Sequence, residues 1–139
     1  MPILLPSNKF KLTPPMKVNS SFRRVDFEMG SGKVPCYFGA TFQDLSELSD
    51  PSKTIILTDA NMAERYNQLF SPFRTIIMPA GEAFKTQQQA DEILGRLIEW
   101  ETDRTVRIIG VGGGVVTDMA GYVAAVYKRG VSLGLIPTT

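Results

Sequence analysis

Three consecutive glycines, Gly112–Gly114, stand between an apolar run and a second, helix-like apolar run. Without Cβ atoms these residues can take positive φ and let a ligand oxygen approach the main chain. The unpaired N–H groups of the following helix supply hydrogen-bond donors and the positive end of the helix dipole. The run therefore predicts a site for a nucleotide or another phosphorylated molecule. The alternative is a tight turn in which Asp118, expected in the first turn of the helix, only complements the dipole.

The usual dinucleotide fingerprint, G-x-G-x-x-G, is not met, because Val115 stands at its last position. Polar residues nevertheless follow two other predicted strands: Asp59 and Asn61 after one, and Glu82 and Lys85 after the next. Ligands of α/β proteins bind at the carboxyl ends of the strands, so these side chains could hold ribose hydroxyls and phosphate. Two simpler interpretations stay open, namely a helix cap at Asp59 and a solvated ion pair between Glu82 and Lys85.

The hydrophobic pattern predicts an α/β fold with a Rossmann-like, mostly parallel sheet flanked by helices. Continuous apolar runs without alternation are typical of parallel strands covered on both faces; these runs are residues 54–58, 75–78, 106–111 and 132–136. Helical spacing is found at residues 41–48, 60–70 and 86–100, the last behind a Thr86 cap, and again from Val115. That last helix is apolar nearly all round, so we expect it to be central and buried, with Tyr122 and Tyr127 in the core. Residues 17–28 and 34–38, around a turn at 29–33, predict a hairpin of early strands.

The composition of the chain argues against several classes of partner and site. The 139 residues carry a net charge of +1, which gives no reason to expect nucleic acid or an anionic membrane as a partner. No apolar run reaches the roughly 18 residues of a membrane span. Cys36 is the only cysteine, so no internal disulfide can form, and its apolar neighbours predict a buried, inert thiol in a cytoplasmic protein. There is no histidine, so we expect no metal site and no histidine-dependent catalysis within these residues.

The two ends of the chain suggest its organisation. Residues 1–15 contain four prolines and are predicted to be a leader or linker, followed by a cofactor-binding domain over residues 16–139. The last residues follow a predicted strand directly, at a place where α/β proteins normally have ligand-binding loops. We therefore expect this chain to be a piece of a longer protein.

In their order and separations, these segments resemble the 3-dehydroquinate synthase family, specifically its amino-terminal NAD-binding domain. The run Gly112–Ala125 resembles the glycine-rich signature of the family, and Tyr127–Gly130 and Pro137–Thr139 continue it at the family spacing. Upstream, Gly81–Lys85 is similar to the family's G-E-x-x-K element and Thr58–Asn61 to its D-x-N element. The resemblance covers roughly residues 54 to 139.

The resemblance implies NAD as the cofactor and assigns a role to each matching residue. The implied NAD contacts are Asp59 and Asn61 at the adenosine ribose, Gly81, Glu82 and Lys85 at ribose and phosphates, the main chain of Gly113, Gly114 and Val115 at the pyrophosphate, Asp118 toward the nicotinamide, and Thr138 and Thr139 near the adenine. Arg129 matches an arginine that reaches the substrate phosphate across a subunit interface, which implies a homodimer. From the residues alone, Arg129 and Gly130 are adequately explained as the end of a helix. Thr117 stands where the family usually has glycine.

The implied reaction of the full-length parent is that of a shikimate-pathway lyase. It converts a seven-carbon keto acid phosphate to 3-dehydroquinate, with transient oxidation by NAD and elimination of phosphate. The family's metal ligands, a Glu and two His for zinc or cobalt, belong to a carboxyl-terminal domain that is absent here, so we expect the fragment to be inactive alone. The alternatives are the cofactor domain of another sugar-phosphate cyclase or metal-dependent polyol dehydrogenase, and a non-catalytic nucleotide-binding module.

Overall fold

The computed structural model describes residues 22–30 and 32–139. The chain divides into two compact units, residues 1–44 and 45–139. The predicted leader, residues 1–15, lies outside the described residues, as does the start of the first predicted strand. The predicted extent of the cofactor domain, residues 16–139, stays a prediction.

The described part of the first unit contains a two-stranded antiparallel hairpin, as the sequence predicts. Strand β1 (Arg23–Met29) pairs with β2 (Gly32–Phe38) over their whole length. Gly30 in the turn takes φ +57°, a conformation that glycine adopts at little cost. Cys36 of β2 is only half-buried, so the prediction of a buried thiol is wrong at this position.

The second unit alternates strands and helices. Its elements are α1 (Leu45–Leu48), β3 (Thr54–Asp59), α2 (Ala60–Phe70), β4 (Arg74–Met78), α3 (Gln87–Glu99), β5 (Arg107–Gly112), α4 (Gly114–Val126) and β6 (Ser132–Pro137). The four strands are parallel and lie in the order β4-β3-β5-β6. This arrangement confirms the α/β, Rossmann-like prediction. The strand order reverses between β3 and β5, which is the topological switch point where such sheets bind ligands.

The core of this unit lies between the sheet and the pair α3 and α4. Parallel crossovers are right-handed. Because the chain moves one way from β3 to β4 and the other way afterwards, α2 covers one face of the sheet and α3 and α4 cover the opposite face. The buried cluster on the α3 and α4 side includes Ile55, Leu57, Ile76, Ile93, Leu97, Ile108, Val116 and Val123. No helix of the described ranges is long and apolar enough to span a bilayer.

Helix α4 is buried on one side only. Its buried residues are Val116, Met119, Ala120, Val123 and Ala124. Tyr122 and Val126 on the other side are 44% and 45% exposed, so the prediction of a helix buried all round is wrong, and Tyr122 is not a core residue. The sheet and α3 cover only one side of α4. The other side is also apolar in sequence, but it is exposed. Tyr127 is buried as predicted, and its hydroxyl donates to the Thr102 carbonyl at 2.6 Å.

Candidate functional site

The candidate site lies at the carboxyl edge of the parallel sheet. Strand β3 ends there at Asp59, β5 at Gly112 and β6 at Pro137, and the loop after Met78 leaves the same edge. Parallel strands end on one side of the sheet, so the topology collects segments that are far apart in sequence. Every residue to which the resemblance assigns an NAD contact lies at one of these strand ends, in the loops that follow or in the first two turns of the next helices.

The glycine turn connects β5 to α4. Only Gly112 has an unusual φ, +158°, while Gly113 has φ −78° and Gly114 is the first helical residue. A Cβ on Gly112 would lie 2.8 Å from Cγ2 of Val116. Glycine at this position therefore allows the strand to pass close under the first turn of α4.

The amino terminus of α4 has no side-chain cap. Its N-cap residue is Gly113, whereas the Asp59 side chain caps α2 and the Thr86 side chain caps α3. The first N–H groups of a helix have no partner within it, so those of α4 are free of any side-chain acceptor at the N-cap. Within the described residues, no atom lies within 4 Å of where a Cβ of Gly114 would be. The first turn of α4 thus combines N–H donors with open space beside them.

The chain after β6 borders this turn. The Thr138 N–H donates to the Gly112 carbonyl at 2.9 Å. The Thr139 Oγ1 atom lies 3.2 Å from where a Cβ of Gly113 would be. Thr138 and Thr139 are therefore neighbours of the glycine turn, although the sequence separates them from it by the whole of α4 and β6.

Thr117, the departure from the family pattern, uses its hydroxyl within the helix. Its Oγ1 donates toward the carbonyls of Gly113 at 3.2 Å and Gly114 at 3.1 Å. Such bonds to the preceding turn are common for threonine in helices. The hydroxyl thus points back along α4 and leaves the N–H groups of the first turn uncovered.

Asp118 is the fifth residue of α4, so the prediction that it lies in the first turn is wrong. The helix begins at Gly114, and no acidic residue lies in its first turn. The Asp118 carboxylate instead accepts a hydrogen bond from the Lys85 ammonium, with Nζ and Oδ2 2.6 Å apart. This bond and the charge of Asp118 raise the pKa of Lys85 above its ordinary value.

Lys85 closes the loop that follows β4. Gly81 begins a short 3-10 turn, Glu82–Phe84, and takes φ +116°, which favours glycine. The predicted pair of Glu82 and Lys85 is loose, with 3.9 Å between Oε1 and Nζ. The sequence analysis missed Asp118 as the closer partner. The signal for it was the convergence of the β4 and β5 carboxyl ends on one edge.

Asp59, the last residue of β3, lies at the carboxyl edge and also caps the following helix. The Asp59 Oδ1 atom accepts a hydrogen bond from the Met62 N–H at 2.9 Å, so the interpretation as a helix cap is confirmed. Asn61 is the second residue of α2 and is exposed. The carboxylate and the amide therefore both lie at the carboxyl edge, and the carboxylate already stabilises α2.

Arg129 is the one predicted site residue that lies elsewhere. It follows the carboxyl end of α4, whose 13 residues span about 20 Å, and so lies near the opposite edge of the sheet. Lys128 and Arg129 have φ of +44° and +66°. Gly130 ends the 3-10 turn Tyr127–Arg129 rather than α4, which ends at Val126, so the predicted helix end is displaced by one turn.

A groove of about 200 Å³ adjoins the pair of Lys85 and Asp118. Its lining comes from the start of α3 and the second turn of α4, namely Lys85, Thr86, Gln87, Ala90, Asp118, Met119 and Tyr122. The Tyr122 hydroxyl donates to Oε1 of Gln87 at 3.0 Å. The sequence analysis did not single out Gln87, because only the packing of α3 against α4 brings it beside Tyr122. Within residues 22–30 and 32–139, no three Cys, Asp or Glu side chains are grouped so that they could hold a metal ion.

Comparison with known proteins identifies relatives of this chain. Residues 75–139 match the family model for 3-dehydroquinate synthase, N-terminal. The 3-dehydroquinate synthase of Pyrococcus furiosus is 40% identical over 114 residues, which cover 73% of this chain and 34% of that protein. That of Symbiobacterium thermophilum is 35% identical over 126 residues, which cover 81% of this chain and 35% of that protein. This chain thus spans about a third of the length of the curated relatives that it matches.

A solved structure also shares the fold. It is a 2-epi-5-epi-valiolone synthase from Streptomyces hygroscopicus subsp. jinggangensis 5008 with NAD+ and Zn2+ bound. It aligns with a TM-score of 0.59 and 25% identity over 66% of this chain and 29% of that chain. The sequence relatives, the family model and the sheet topology lead to one assignment: the chain belongs to the 3-dehydroquinate synthase family and corresponds to its amino-terminal part.

Proposed function

We propose that this chain is the NAD-binding part of a 3-dehydroquinate synthase. The observation that carries the proposal is the first turn of α4, which has no side-chain cap and has open space beside Gly114. It lies next to the switch point of a parallel sheet, where dinucleotides bind in Rossmann-like folds. The structural relative from Streptomyces contains NAD+, which supports the choice of this dinucleotide.

The residues present fit a dinucleotide. The N–H groups of Gly114 and Val115 would donate to the diphosphate, and Gly113 would let it approach the main chain. The Lys85 ammonium at the same edge would add a positive charge. The second carboxylate oxygen of Asp59 and the amide of Asn61 would receive the adenosine ribose, while Oδ1 of Asp59 keeps its bond to Met62.

The loops on either side would complete the cofactor site. Gly81 and Glu82 would contact ribose and phosphates from the β4 side of the edge. On the β6 side, Thr138 and Thr139 border the glycine turn and would lie near the adenine. When bound, NAD would supply the transient oxidation of a substrate alcohol that precedes loss of phosphate.

The whole enzyme would be a phosphate-eliminating lyase of the shikimate pathway, acting in the cytoplasm on a small phosphorylated keto acid. Its zinc or cobalt ligands and most substrate contacts would come from a carboxyl-terminal domain, so this chain alone would not turn over substrate. Arg129 lies too far from the glycine turn of its own chain to share a ligand with it. We therefore propose that Arg129 reaches the substrate phosphate in the partner subunit of a homodimer.

Calorimetric titration of this chain with NAD, ADP-ribose and ATP tests the proposal. Because NAD and ADP-ribose share the diphosphate and both riboses, we expect both to bind, with NAD the tighter of the two. Preference for ATP would indicate a general nucleotide module instead. Absence of heat with all three ligands would contradict the proposed function.

A further inference from the structure

We propose that the amino edge of the parallel sheet carries a binding site for one small tetrahedral oxyanion of the phosphate class. The site is a pocket of about 140 Å³ at the opposite end of the strands from the glycine turn. Its lining residues are Ser49, Asp50, Lys53, Thr54, Thr105, Arg107 and Ser132. The inference does not rest on the proposed NAD site, and the family resemblance assigns no role to any of these residues.

The sheet itself builds one wall of the pocket. Thr54 and Arg107 are register partners at the start of β3 and β5, and Arg107 and Ser132 are partners at the start of β5 and β6. The first residues of three neighbouring strands therefore lie side by side along one edge. Gly112 is five residues further along β5, roughly 16 Å away, so the pocket and the glycine turn are separate sites.

Arg107 is the main reason to expect an anion. Its Nε atom donates to Oγ of Ser132 at 3.3 Å, and its Nη1 atom donates to Oγ of Ser49 at 3.4 Å. Both distances are longer than those of a typical hydrogen bond. No carboxylate of the described residues forms an ion pair with this guanidinium. Because a guanidinium has five N–H donors and only two are engaged here, three are available to a ligand.

Two further donors come from other segments around the guanidinium. The Lys53 ammonium, on the turn before β3, also forms no ion pair within the part of the chain that the structure describes. The Ser132 hydroxyl accepts from Arg107, and no acceptor for its own proton is found among the described residues. A planar carboxylate could be bound by one guanidinium alone. Donors from three segments are better suited to the several oxygens of a tetrahedral ion.

The charges of the lining favour an anion. Lys53 and Arg107 are positive, and Asp50 is the one negative residue of the lining. The Oδ1 atom of Asp50 is already engaged, because it accepts from the N–H and the hydroxyl of Ser52 at 2.9 and 2.8 Å. The lining therefore has a net charge of +1, and removing the Asp50 charge should improve the site.

A second carboxylate, Asp103, lies near the pocket but outside its lining. Its Oδ1 atom accepts from the N–H and the hydroxyl of Thr105 at 2.7 and 2.6 Å. These bonds lower the pKa of Asp103, and the charges of Lys128 and Lys53 lower it further. Lys128 thus lies close enough to offset the charge of Asp103, and the positive balance of the lining persists.

The volume of the pocket limits the size of the ligand. Pockets for drug-sized molecules measure roughly 300–1,000 Å³. At about 140 Å³ this pocket is too small for a nucleotide but has room for one ion or one terminal phosphate group. The ligand is therefore either free phosphate or a phosphomonoester whose remaining part stays outside the pocket.

NMR titration of this chain with inorganic phosphate tests the inference, with the ionic strength held constant by chloride. We expect saturable shifts of the amide signals of Thr105, Arg107 and Ser132, with a dissociation constant of roughly 1 mM. A second titration with glycerol 3-phosphate distinguishes the two sources of the ligand. Tighter binding of glycerol 3-phosphate would identify a phosphomonoester, and tighter binding of inorganic phosphate would identify the free ion.

The Arg107 variants test which donor holds the anion. Arg107→Gln should weaken phosphate binding by about tenfold or more, because the charge-assisted hydrogen bonds are lost. Arg107→Lys should fall between the two, because it keeps the charge and loses the fork of donors. Arg96→Gln is the matched control, since it removes the same charge from an exposed position on α3. We expect no change in its affinity.

Asp50→Asn tests the position of the anion in the opposite direction. It should tighten phosphate binding by about twofold to fivefold, because a like charge is removed from the lining. The amide oxygen can still accept from the Ser52 N–H, so the turn before β3 is retained. This variant therefore tests the inference even if Arg107→Gln does not fold.

Three outcomes would overturn the inference. Equal losses in Arg107→Gln and Arg96→Gln would show that phosphate only screens the charge of the whole chain. Unchanged affinity in Asp50→Asn would mean that the anion does not lie beside that carboxylate. Shifts confined to Gly114 and Val115 would place phosphate at the glycine turn, a result that contradicts the inference and leaves the proposed function intact.

Discussion

A Cβ atom on Gly110 would lie only 2.6 Å from the Cβ of Ala120. Gly110 is in the middle of β5, and Ala120 is on the fully buried side of α4. The strand and the helix therefore approach each other more closely than two residues with side chains could. This contact sets the height of α4 above the sheet, and with it the position of the first turn that we propose for the diphosphate.

Gly110→Ala should destabilise the protein by about 1–3 kcal/mol, because the added methyl overlaps the Cβ of Ala120, which can move only together with the buried helix. Urea unfolding measures the effect. Gly121→Ala is the control on the same helix, since no atom of the described part of the chain lies within 4 Å of where a Cβ would be. It should be neutral or stabilising by up to about 1 kcal/mol, through the helix propensity of alanine. A Gly110→Ala variant as stable as Gly121→Ala would show that the helix moves away freely.

Gly114→Val should lower NAD affinity by about tenfold or more while the fold persists. The side chain enters space that is open beside the first turn, so little in the folded chain opposes it. The same space is where diphosphate oxygens would approach the N–H donors. Calorimetry with NAD, alongside a thermal melt, separates the two effects.

Gly121→Val provides the comparison for that experiment, as it adds the same side chain to α4 away from the carboxyl edge. Its affinity should equal that of the unmodified chain. Normal NAD binding by Gly114→Val would mean that the turn does not hold the diphosphate.

Two variants of Asp59 should distinguish its effect on folding stability from its effect on NAD binding. Asp59→Ala removes the cap of α2 and should cost about 1 kcal/mol of unfolding free energy, whereas Asp59→Asn keeps a side-chain oxygen for the Met62 N–H. If the carboxylate also receives the ribose, both variants should bind NAD more weakly. Chemical denaturation and calorimetry measure the two quantities. Full NAD affinity in Asp59→Asn would leave Asp59 as a helix cap only.

Ionisation of Tyr127 should lower the free energy of unfolding at alkaline pH. Burial raises its pKa above the ordinary value of 10.0, so the folded state retains the phenol proton at a pH where the unfolded state releases it. The contribution of the raised Tyr127 pKa to the free energy of unfolding is therefore complete below about pH 10, and it is lost as the pH rises through the folded-state pKa. Unfolding free energies measured from pH 8 to pH 11 should decline less steeply in Tyr127→Phe.

Tyr127→Phe should also be less stable at neutral pH, by about 1–3 kcal/mol, because the Thr102 carbonyl loses its donor in a buried place. This loss provides an internal check on the alkaline experiment. Identical slopes for the two proteins above pH 9 would exclude Tyr127 as the titrating group.

The predictability of this fold depends on how local each signal is. The predictions of a strand at 54–58 and a helix at 60–70 are confirmed, because the apolar pattern and the Asp59 cap depend only on residues close in sequence. The predictions that fail are those that depend on a contact with another element. Tyr122 looks like a core residue by its neighbours in sequence, yet it is 44% exposed on α4.

The same distinction applies to the candidate site. The glycine turn and the polar residues after each strand follow from residue types and from the rule that ligands bind at strand carboxyl ends. The hydrogen-bond partners of these residues do not follow from residue types. The sequence suggests a helix dipole or, by resemblance, the nicotinamide side of NAD as the partner of Asp118, and the structure pairs it with Lys85, 33 positions away. Local charge patterns contain no information on which loops meet.

By itself, the sequence determined the class of fold, the order of its elements and the chemistry available at one edge, because these depend on residue types and short-range spacing. Tertiary structure alone decided which groups meet there. The close packing of Gly110 against Ala120, the bond of Thr138 to Gly112 and the separation of Arg129 from the glycine turn all depend on contacts between elements distant in sequence. The physical reason is that such contacts form only when whole helices and strands pack together, and no short stretch of chain encodes that packing.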